Sequence, residues 1–398
     1  MIQYDFDEIV ERRGTDCLKY DKLKDLFGKA DLMPFWVADM DFRTPDFIVD
    51  ALKKRCEHPV FGYTFPPAEY FPSIIRWIKH LYKWDVREEW LSYIPGIVKG
   101  IGLALECFTE KGDKVIIQPP VYHPFRIVPE KLNREVVYNP LRQVNGVYEM
   151  DFEHLEAVAD NGCRALILSS PHNPAGIVWD GKTLQRLAEI CRRRSILVIA
   201  DEIHSEMTFP GFEHHPFPTV SDDAAACSIT FMAPSKTFNI AGIVSSYAIV
   251  PDDSLRRAFY SFLEACELHE GTIFSYIATV AAYVRGDEWR RQMLEYVKKN
   301  ILFAEEYVRA HIPQIKVYRP QASFLIWLDC RDLKMNQQEL FALVCNGAGL
   351  ALNNGTMFGR EGEGYLRMNV GCPRAMLRKG LEALKNTLSI EKVDSQKN

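Results

Sequence analysis

The hydrophobic positions in the middle of the chain form short continuous runs instead of alternating with polar ones. Consecutive apolar positions are typical of strands that are buried on both faces, as in a mainly parallel sheet covered by helices. Four such runs are predicted as strands: Lys114–Gln118, Arg164–Ser170, Ile196–Glu202 and Ser228–Ala233.

Segments with helical periodicity lie between these runs. In the segment 180–194, one helix face carries Leu184, Leu187, Ala188 and Cys191. The alternation of buried strands with amphipathic helices predicts a doubly wound α/β domain, in which helices cover both faces of the sheet.

The final third of the chain has a different pattern. A long amphipathic helix is predicted from Asp287 to Ile312, followed by a strand, a helix and a strand in "ASFLIWLDC", "NQQELFALVCNGAG" and "GYLRMNVG". This pattern predicts a smaller α+β domain over residues 287–398. The large domain is predicted over residues 47–286, and the N-terminal arm, residues 1–46, is assigned to the small domain.

The composition is that of an ordinary globular protein with a large core, since 47% of the 398 residues are hydrophobic and 25% are charged. The formal net charge of −5 argues against nucleic acid or an anionic membrane as the main partner. No apolar stretch approaches the roughly 20 residues of a membrane helix, and the charged N-terminus does not match a signal or transit peptide. The ten cysteines show no CxxC pair and no metal-ligand spacing, which favours reduced thiols, a cytoplasmic location and no metal.

Chemically useful side chains follow the predicted strands. In an open parallel sheet, ligands bind beyond the carboxyl ends of the strands. The residues at these ends supply an aromatic ring, an amide, a carboxylate, a hydroxyl and an amine: Tyr122, Asn173, Asp201, Ser235 and Lys236. Upstream, Gly96 precedes a helical segment whose first amides and dipole suit a phosphate group.

Each of these residues also has an ordinary structural interpretation. Taken alone, Lys236 could be a solvated lysine in a loop, Tyr122 a packed aromatic residue and Asp201 a helix N-cap. The Asn-Pro step at Asn173 and the glycine at Gly96 are both common in turns. Their common sheet edge and their order along the chain favour the functional interpretation.

Blocks of sequence along nearly the whole chain resemble one family. They are, in order, "FDEIVERRGTDCLKYD", "LMPFWVADMDFRTP", "GYT", "GIVKGI", "PVYHPF", "SSPHNPAG", "ADEIHSE", "SKTFNIAG" and "GYLRMNVGCPR". Together they resemble the fold-type I enzymes that use pyridoxal 5′-phosphate (PLP), the aminotransferase class I/II superfamily, and specifically its MalY/PatB branch of C–S lyases. The resemblance implies the PLP-dependent transferase fold, with a large α/β domain and a smaller α+β domain.

The resemblance also implies roles for the residues around the ring of PLP. Lys236 matches the lysine that binds PLP covalently and later transfers protons. Asp201 matches the carboxylate that pairs with the protonated pyridine nitrogen. Tyr122 is expected to stack on the ring, and Asn173 to donate a hydrogen bond to the ring's phenolic oxygen. The family often has a cis peptide bond at this step, which implies a cis Asn173–Pro174 bond here.

The expected phosphate ligands lie in two segments of the same chain and in a partner subunit. Ser235 and the amides of Ile97 and Val98, next to Gly96, are expected to hold the phosphate. Tyr63 in "GYT" resembles the tyrosine that reaches the phosphate from the neighbouring subunit. A homodimer with shared sites is therefore implied.

On the substrate side, Arg367 matches the arginine that binds the α-carboxylate, although a strand-borne arginine can also be a surface residue. Ala38 in "WVADMDF" stands where aminotransferases tend to have glycine and is expected beside the substrate. Val244 replaces the arginine that aminotransferases commonly place eight residues after the lysine. His204 replaces a common tyrosine, and its role is open between contact with the ring oxygen and a structural one.

These features predict β-elimination on a cysteine S-conjugate, with L-cystathionine as the leading substrate and pyruvate, ammonia and a thiol as products. An aminotransferase is the alternative enzyme, because it needs the same lysine and aspartate. A regulatory protein that acts by direct contact, as MalY-like proteins can, is an alternative of another class. The sequence does not name the thiol or a regulatory partner.

Overall fold

The computed structural model describes residues 3–144 and 146–395, with side chains up to residue 389. Within these residues the chain divides into two compact units. One unit takes the residues up to Arg43, the short stretch 174–176 and the residues from Arg291 onward. The other unit takes the ranges 44–173 and 177–290.

The larger unit contains a sheet that has seven strands within the described residues. From edge to edge they are Leu91–Ile94, Ser246–Ile249, Ser228–Met232, Leu197–Asp201, Cys163–Ser169, Lys114–Ile117 and Glu135–Tyr138. Only Ser246–Ile249 runs antiparallel to its neighbours. The predicted mainly parallel sheet is confirmed, and each of its four predicted strands is found with its ends within one residue. A separate hairpin pairs Arg142–Val144 with Val147–Glu149.

Helices alternate with these strands along the chain. Those of the larger unit are Asp46–Cys56, Tyr70–Tyr82, Ile97–Phe108, Pro124–Lys131, Phe152–Ala159, Gly181–Arg193, Asp222–Ala226, Asp253–Ala265 and Ile273–Arg285. The helix Gly181–Arg193 begins where the Asp180 side chain accepts a hydrogen bond from the amide of Thr183. Its predicted apolar face is confirmed, because Leu184, Leu187, Ala188 and Cys191 are all buried.

The core of the larger unit joins the sheet to the helix Ile97–Phe108. One buried cluster contains Ile101 and Leu105 from this helix together with Ile199 and Phe231 from the strands. Burial of each such side chain stabilises the fold by roughly 1.5–3 kcal/mol. The helix that begins at the predicted phosphate site is therefore fixed to the strands that carry the other candidate residues.

The smaller unit contains an antiparallel sheet, with four strands among the described residues. Their order is Lys316–Tyr318, Leu325–Asp329, Tyr365–Asn369 and Asn353–Asn354, and a short parallel pair joins Met33–Pro34 to Leu350–Ala351. Its helices are Leu18–Asp21, Leu23–Phe27, Gln337–Ala342 and Arg374–Ser395, together with most of Asp287–His311. This architecture confirms the predicted smaller α+β fold.

Two predicted helices of the C-terminal third differ in how closely they match. The long helix Asp287–His311 ends one residue before its predicted end. The predicted helix over 336–349 is regular only from Gln337 to Ala342, and the wider π turn Leu343–Gly347 follows it. No helix in the described part of the chain has both the length and the apolarity that a membrane crossing requires.

Candidate active site

Asp201 ends the central strand of the large sheet and is buried, with 7% of its surface exposed. Its Oδ1 accepts a hydrogen bond from the backbone N–H of Ile203 at 3.1 Å, and among the described residues no second hydrogen bond reaches the carboxylate. Burial raises the pKa of Asp201 to about 7, although the Ile203 hydrogen bond and the charge of Lys236 act in the opposite direction. A further cation close to this carboxylate would lower its pKa and favour the ionised form.

Lys236 lies in a tight turn beyond the adjacent strand, Ser228–Met232. The turn is fixed on both sides of the lysine, because the amide of Phe238 donates to the Pro234 carbonyl at 2.9 Å and that of Ile240 to the Ser235 carbonyl at 3.0 Å. Lys236 itself is half-buried, and its charge acts on Asp201. The structure thus brings together the two residues that the sequence placed at neighbouring strand ends.

Asn173 lies in the loop after the other strand that flanks Asp201. It is buried, and its backbone N–H donates to Ser169 Oγ at 3.1 Å. The backbone N–H of Ser170, in the same loop, donates to the Asp201 carbonyl at 3.0 Å. The prediction of a cis peptide bond at Asn173–Pro174 is wrong. Among the described residues the cis bonds are Pro119–Pro120 and Ser170–Pro171.

Tyr122 follows the strand Lys114–Ile117 and precedes the helix Pro124–Lys131. Its carbonyl accepts from the amide of Phe125 at 3.0 Å, and its half-buried ring packs against the core of the larger unit. The ring centroid lies 5.0 Å from that of His123, with an edge-on angle of 68°. The ring is therefore held at the same edge of the sheet as the other strand-end residues.

The expected phosphate end is built on Gly96. Its φ of +107° is a conformation that residues with a Cβ rarely adopt, and it lets the chain turn into the helix that begins at Ile97. Ile97 and Val98 form the first turn of this helix, where amides have no partner within the helix. A Cβ placed on Gly96 would lie 3.5 Å from Val244 Cγ1, so the residue that replaces the aminotransferase arginine lies beside this turn. Ser235 is buried next to Lys236.

The two remaining candidates of the larger unit have contrasting environments. His204 is buried in the turn after Asp201, where its carbonyl accepts from the amide of Met207 at 3.0 Å. Tyr63 is fully exposed in a segment without regular structure, so a single protomer does not place it with the strand-end residues.

Arg367 lies on the strand Tyr365–Asn369 of the smaller unit and is buried. Its Nη2 donates to the Trp36 carbonyl at 2.8 Å and to Asn353 Oδ1 at 2.6 Å. The guanidinium carbon lies 5.0 Å from the centroid of the Phe358 ring, which adds a cation–π contact. The guanidinium is therefore held in place by fixed partners, and a surface role for Arg367 is excluded.

The segment around Ala38 is held by the same strand. Asn369, two residues after Arg367, donates from Nδ2 to the carbonyls of Val37 and Asp39, both at 2.6 Å. Within the smaller unit, the two predicted substrate residues Ala38 and Arg367 are thus connected to one strand.

A buried ion-pair network supports this segment from the N-terminal arm. Lys19 Nζ lies 2.6 Å from Asp41 Oδ2, and both side chains are almost completely buried. Arg12 donates from Nη1 to Asp41 at 2.7 Å and from Nη2 to Asp39 at 2.7 Å. The two cations of the arm neutralise the two carboxylates that follow Ala38.

Sequence reasoning missed two residues of the smaller unit. Asn353 positions the Arg367 guanidinium, but it lies in a stretch without a recognisable motif. Asn369 could have been predicted from its position. It stands two residues after Arg367, and residues two apart on a strand face the same side.

Comparison with known proteins identifies the class of protein. The chain belongs to the family described as aminotransferase class I and II, whose model matches residues 30–384. The cystathionine beta-lyase PatB of Bacillus subtilis (strain 168) is 41% identical over 385 residues, which cover 96% of this chain and all of that protein.

Two solved structures extend the similarity to the fold. Cystalysin from Treponema denticola, which contains PLP, is 32% identical with a TM-score of 0.94, over 98% of this chain and 99% of that chain. The PLP-bound C–S lyase from Staphylococcus hominis is 30% identical with a TM-score of 0.90, over 97% and 98% of the two chains. The expected fold and family are confirmed.

Proposed function

We propose that the chain is a PLP-dependent C–S lyase that eliminates the thiol from L-cystathionine or a related cysteine S-conjugate. With cystathionine, water is consumed and homocysteine, pyruvate and ammonia are formed. The observation that carries the proposal is the buried Asp201 carboxylate beside Lys236 at the end of the central strand. Full-length similarity to a cystathionine beta-lyase and to a C–S lyase supports it.

The residues of the larger unit fit PLP at both of its ends. Asp201 is a buried carboxylate with one hydrogen bond, and a protonated ring nitrogen would supply the missing cationic donor. At the other end, the positive φ of Gly96 exposes the first amides of the helix Ile97–Phe108, which suit a phosphate.

When bound, PLP supplies an electron sink for the pair released at the substrate Cα. Lys236 would hold the cofactor covalently and would take the proton from the substrate Cα. Asp201 would keep the ring nitrogen protonated. Because the electron pair would leave with a thiolate at Cβ, a substrate needs a leaving group at that carbon.

The remaining candidates of the larger unit are assigned to binding and orienting PLP. We assign the phosphate to Ser235 and to the amides of Ile97 and Val98, and the ring face to Tyr122. Asn173 is assigned to the phenolic oxygen of the ring. His204, buried three residues after Asp201, is proposed to lie beside that same oxygen.

On the substrate side, Arg367 is assigned to the α-carboxylate, because a guanidinium binds a carboxylate with two parallel hydrogen bonds. Ala38 is assigned to the same group of the substrate. The contacts that hold Arg367 and the Ala38 segment to one strand support this assignment.

We propose that the working form is a homodimer in which Tyr63 reaches the phosphate of the partner's site. The segment around Tyr63 exposes several large apolar side chains, namely Val60, Phe61, Tyr63 and Phe65, and such clusters mark contact surfaces. Mixing the inactive Lys236→Ala and Tyr63→Ala variants should restore part of the activity, because a hybrid dimer contains one site with both residues. A fully active monomer in sedimentation would contradict the proposal.

We also propose that the protein works in the cytoplasm. All ten cysteines are free thiols in the structure, which suits a reducing compartment. Cell fractionation followed by detection of the protein tests this location, and recovery in an extracellular fraction would contradict it.

The reaction class is tested by supplying L-cystathionine as the sole substrate. A lyase gives equal amounts of pyruvate, ammonia and homocysteine over many turnovers without an added keto acid. An aminotransferase stops after one turnover and resumes only when a keto acid is supplied. Product formation that depends on 2-oxoglutarate or pyruvate would therefore replace the lyase assignment by the aminotransferase one. The Lys236→Ala variant is the matched control and should form no product.

A further inference from the structure

The peptide before Ala38 is held in a fixed orientation by Asn369. The Val37 carbonyl accepts from Asn369 Nδ2 at 2.6 Å, and the bond between Val37 and Ala38 is trans. In a trans peptide the C=O and N–H bonds point in opposite directions. The N–H of Ala38 therefore points away from Asn369, and the orientation of this donor depends on the Asn369 side chain.

Asn369 is itself fixed through its other polar atoms. Its Oδ1 accepts from the amide of Gly371 at 2.8 Å, and its backbone amide donates to the Phe35 carbonyl at 2.8 Å. Its Nδ2 uses its second hydrogen on the Asp39 carbonyl. The side chain is buried, and its oxygen and both of its Nδ2 hydrogens are hydrogen-bonded, so it has one well-defined orientation.

The close approach of the two segments requires a glycine at position 371. A Cβ there would lie 2.8 Å from Met40 Cγ and 3.1 Å from Phe324 Cγ. The absence of a side chain lets the backbone after Asn369 lie against the segment that carries Ala38. The contact between this segment and the strand is thus built into the packing.

Arg367 joins the same segment one residue earlier. Its Nη2 donates to the Trp36 carbonyl at 2.8 Å, so Arg367 and Asn369 hold consecutive carbonyls, those of Trp36 and Val37. A ligand that binds the Arg367 guanidinium therefore meets a segment whose orientation Asn369 determines.

We propose that Asn369 is a positioning residue for the α-carboxylate of the substrate, acting through the Ala38 peptide next to Arg367. The inference rests on the proposed function, since it assumes that Arg367 binds this carboxylate. Asn369 contributes by orienting a second donor, the Ala38 N–H, without contacting the substrate itself.

The test compares two ligands that differ by the carboxylate. L-Alanine has no leaving group at Cβ and is not eliminated, and ethylamine is the same molecule without the carboxylate. Both are titrated into the PLP-loaded enzyme, and binding is followed by the change in cofactor absorbance. The preference for L-alanine over ethylamine should fall about tenfold in Asn369→Ser, the order expected for loss of one charge-assisted hydrogen bond.

Asn300 provides a matched control in the same unit. It is also buried, and its Nδ2 donates to two backbone carbonyls, those of Val370 at 2.9 Å and Cys372 at 2.7 Å. Asn300→Ser removes the same number of hydrogen bonds without touching the Ala38 segment, so its ligand preference should equal that of the wild type. An equal fall in both variants, or an unchanged preference in Asn369→Ser, would overturn the proposal.

A measurement on the wild type covers the case in which the variants do not fold. Hydrogen exchange of the peptide that contains residues 36–41 should slow when L-alanine binds and change little with ethylamine. Equal protection by the two ligands would contradict a role of this segment in carboxylate binding. Failure of the proposed function itself is distinguishable, because it would appear in the wild-type enzyme as absence of PLP on Lys236 or as product formation that depends on a keto acid.

Discussion

Replacing Asp201 by asparagine should make the stability of the cofactor-free protein less dependent on pH. The variant keeps the size of the side chain and an oxygen for the Ile203 amide, but it removes the ionisable group. In the wild type, burial raises the pKa of Asp201 from the ordinary value of 3.8 to about 7. Between these two pH values Asp201 is therefore mostly protonated in the folded protein and mostly ionised in the unfolded chain.

This difference in pKa determines the sign and the size of the change in stability with pH. Stability falls as pH rises wherever the folded state holds more protons than the unfolded state. The contribution of Asp201 is unfavourable above pH 3.8 and becomes constant once pH exceeds about 7. At 1.36 kcal/mol for each pKa unit, the full effect is on the order of 4 kcal/mol, and more than half of it develops between pH 5 and pH 8.

Urea unfolding of the PLP-free wild type and of Asp201→Asn at pH 5 and pH 8 measures the effect. Between these pH values the wild type should lose roughly 2–3 kcal/mol more of its free energy of unfolding than the variant does. Comparison of the two changes cancels any difference that does not depend on pH. Parallel behaviour of the two proteins would show that Asp201 is ionised in the folded protein without PLP, and would refute the argument from burial.

Three further outcomes are expected. Borohydride reduction of the PLP-loaded enzyme followed by peptide mapping should place the cofactor on Lys236, and recovery on another lysine would contradict the assignment. Arg367→Lys should weaken amino-acid binding by roughly 1.5–3 kcal/mol, seen as a higher KM with an unchanged cofactor spectrum, since lysine cannot form the paired hydrogen bonds. Gly96→Ala should lower the free energy of unfolding by about 1 kcal/mol or more, because the φ of +107° disfavours a Cβ. Gly102→Ala, in the same helix and with ordinary space around a Cβ, should be neutral or slightly stabilising, and equal losses in both variants would contradict the backbone explanation.

The large sheet was predictable because its signals are local. A buried strand such as Leu197–Asp201 has apolar residues at successive positions, and the helix Gly181–Arg193 has an apolar face at helical spacing. The π turn Leu343–Gly347 was missed because the segment has the same apolar spacing as a regular helix. Its hydrogen-bond pattern depends on the packing around it, which the spacing does not encode.

The site was predictable as far as sheet topology determines it. Asp201 and Lys236 come together because parallel strands end at one edge. The contacts of Arg367 and Asn369 with the segment around Ala38 were not predictable from local patterns, since they join residues more than 300 positions apart. The orientation of these side chains is decided by tertiary packing alone.

The pairing of Lys19 with Asp41 limits how far the protein can be shortened from its N-terminus. A truncation that removes residues up to 22 deletes both Lys19 and Arg12 and leaves the Asp41 carboxylate buried without a cation. Removing one partner of a buried pair typically costs 3–5 kcal/mol, which is a large part of the usual 5–15 kcal/mol of a folded protein. Expression designs that trim this arm as if it were a loose tail would therefore yield unstable protein, whereas an affinity tag joined ahead of it leaves the pair intact.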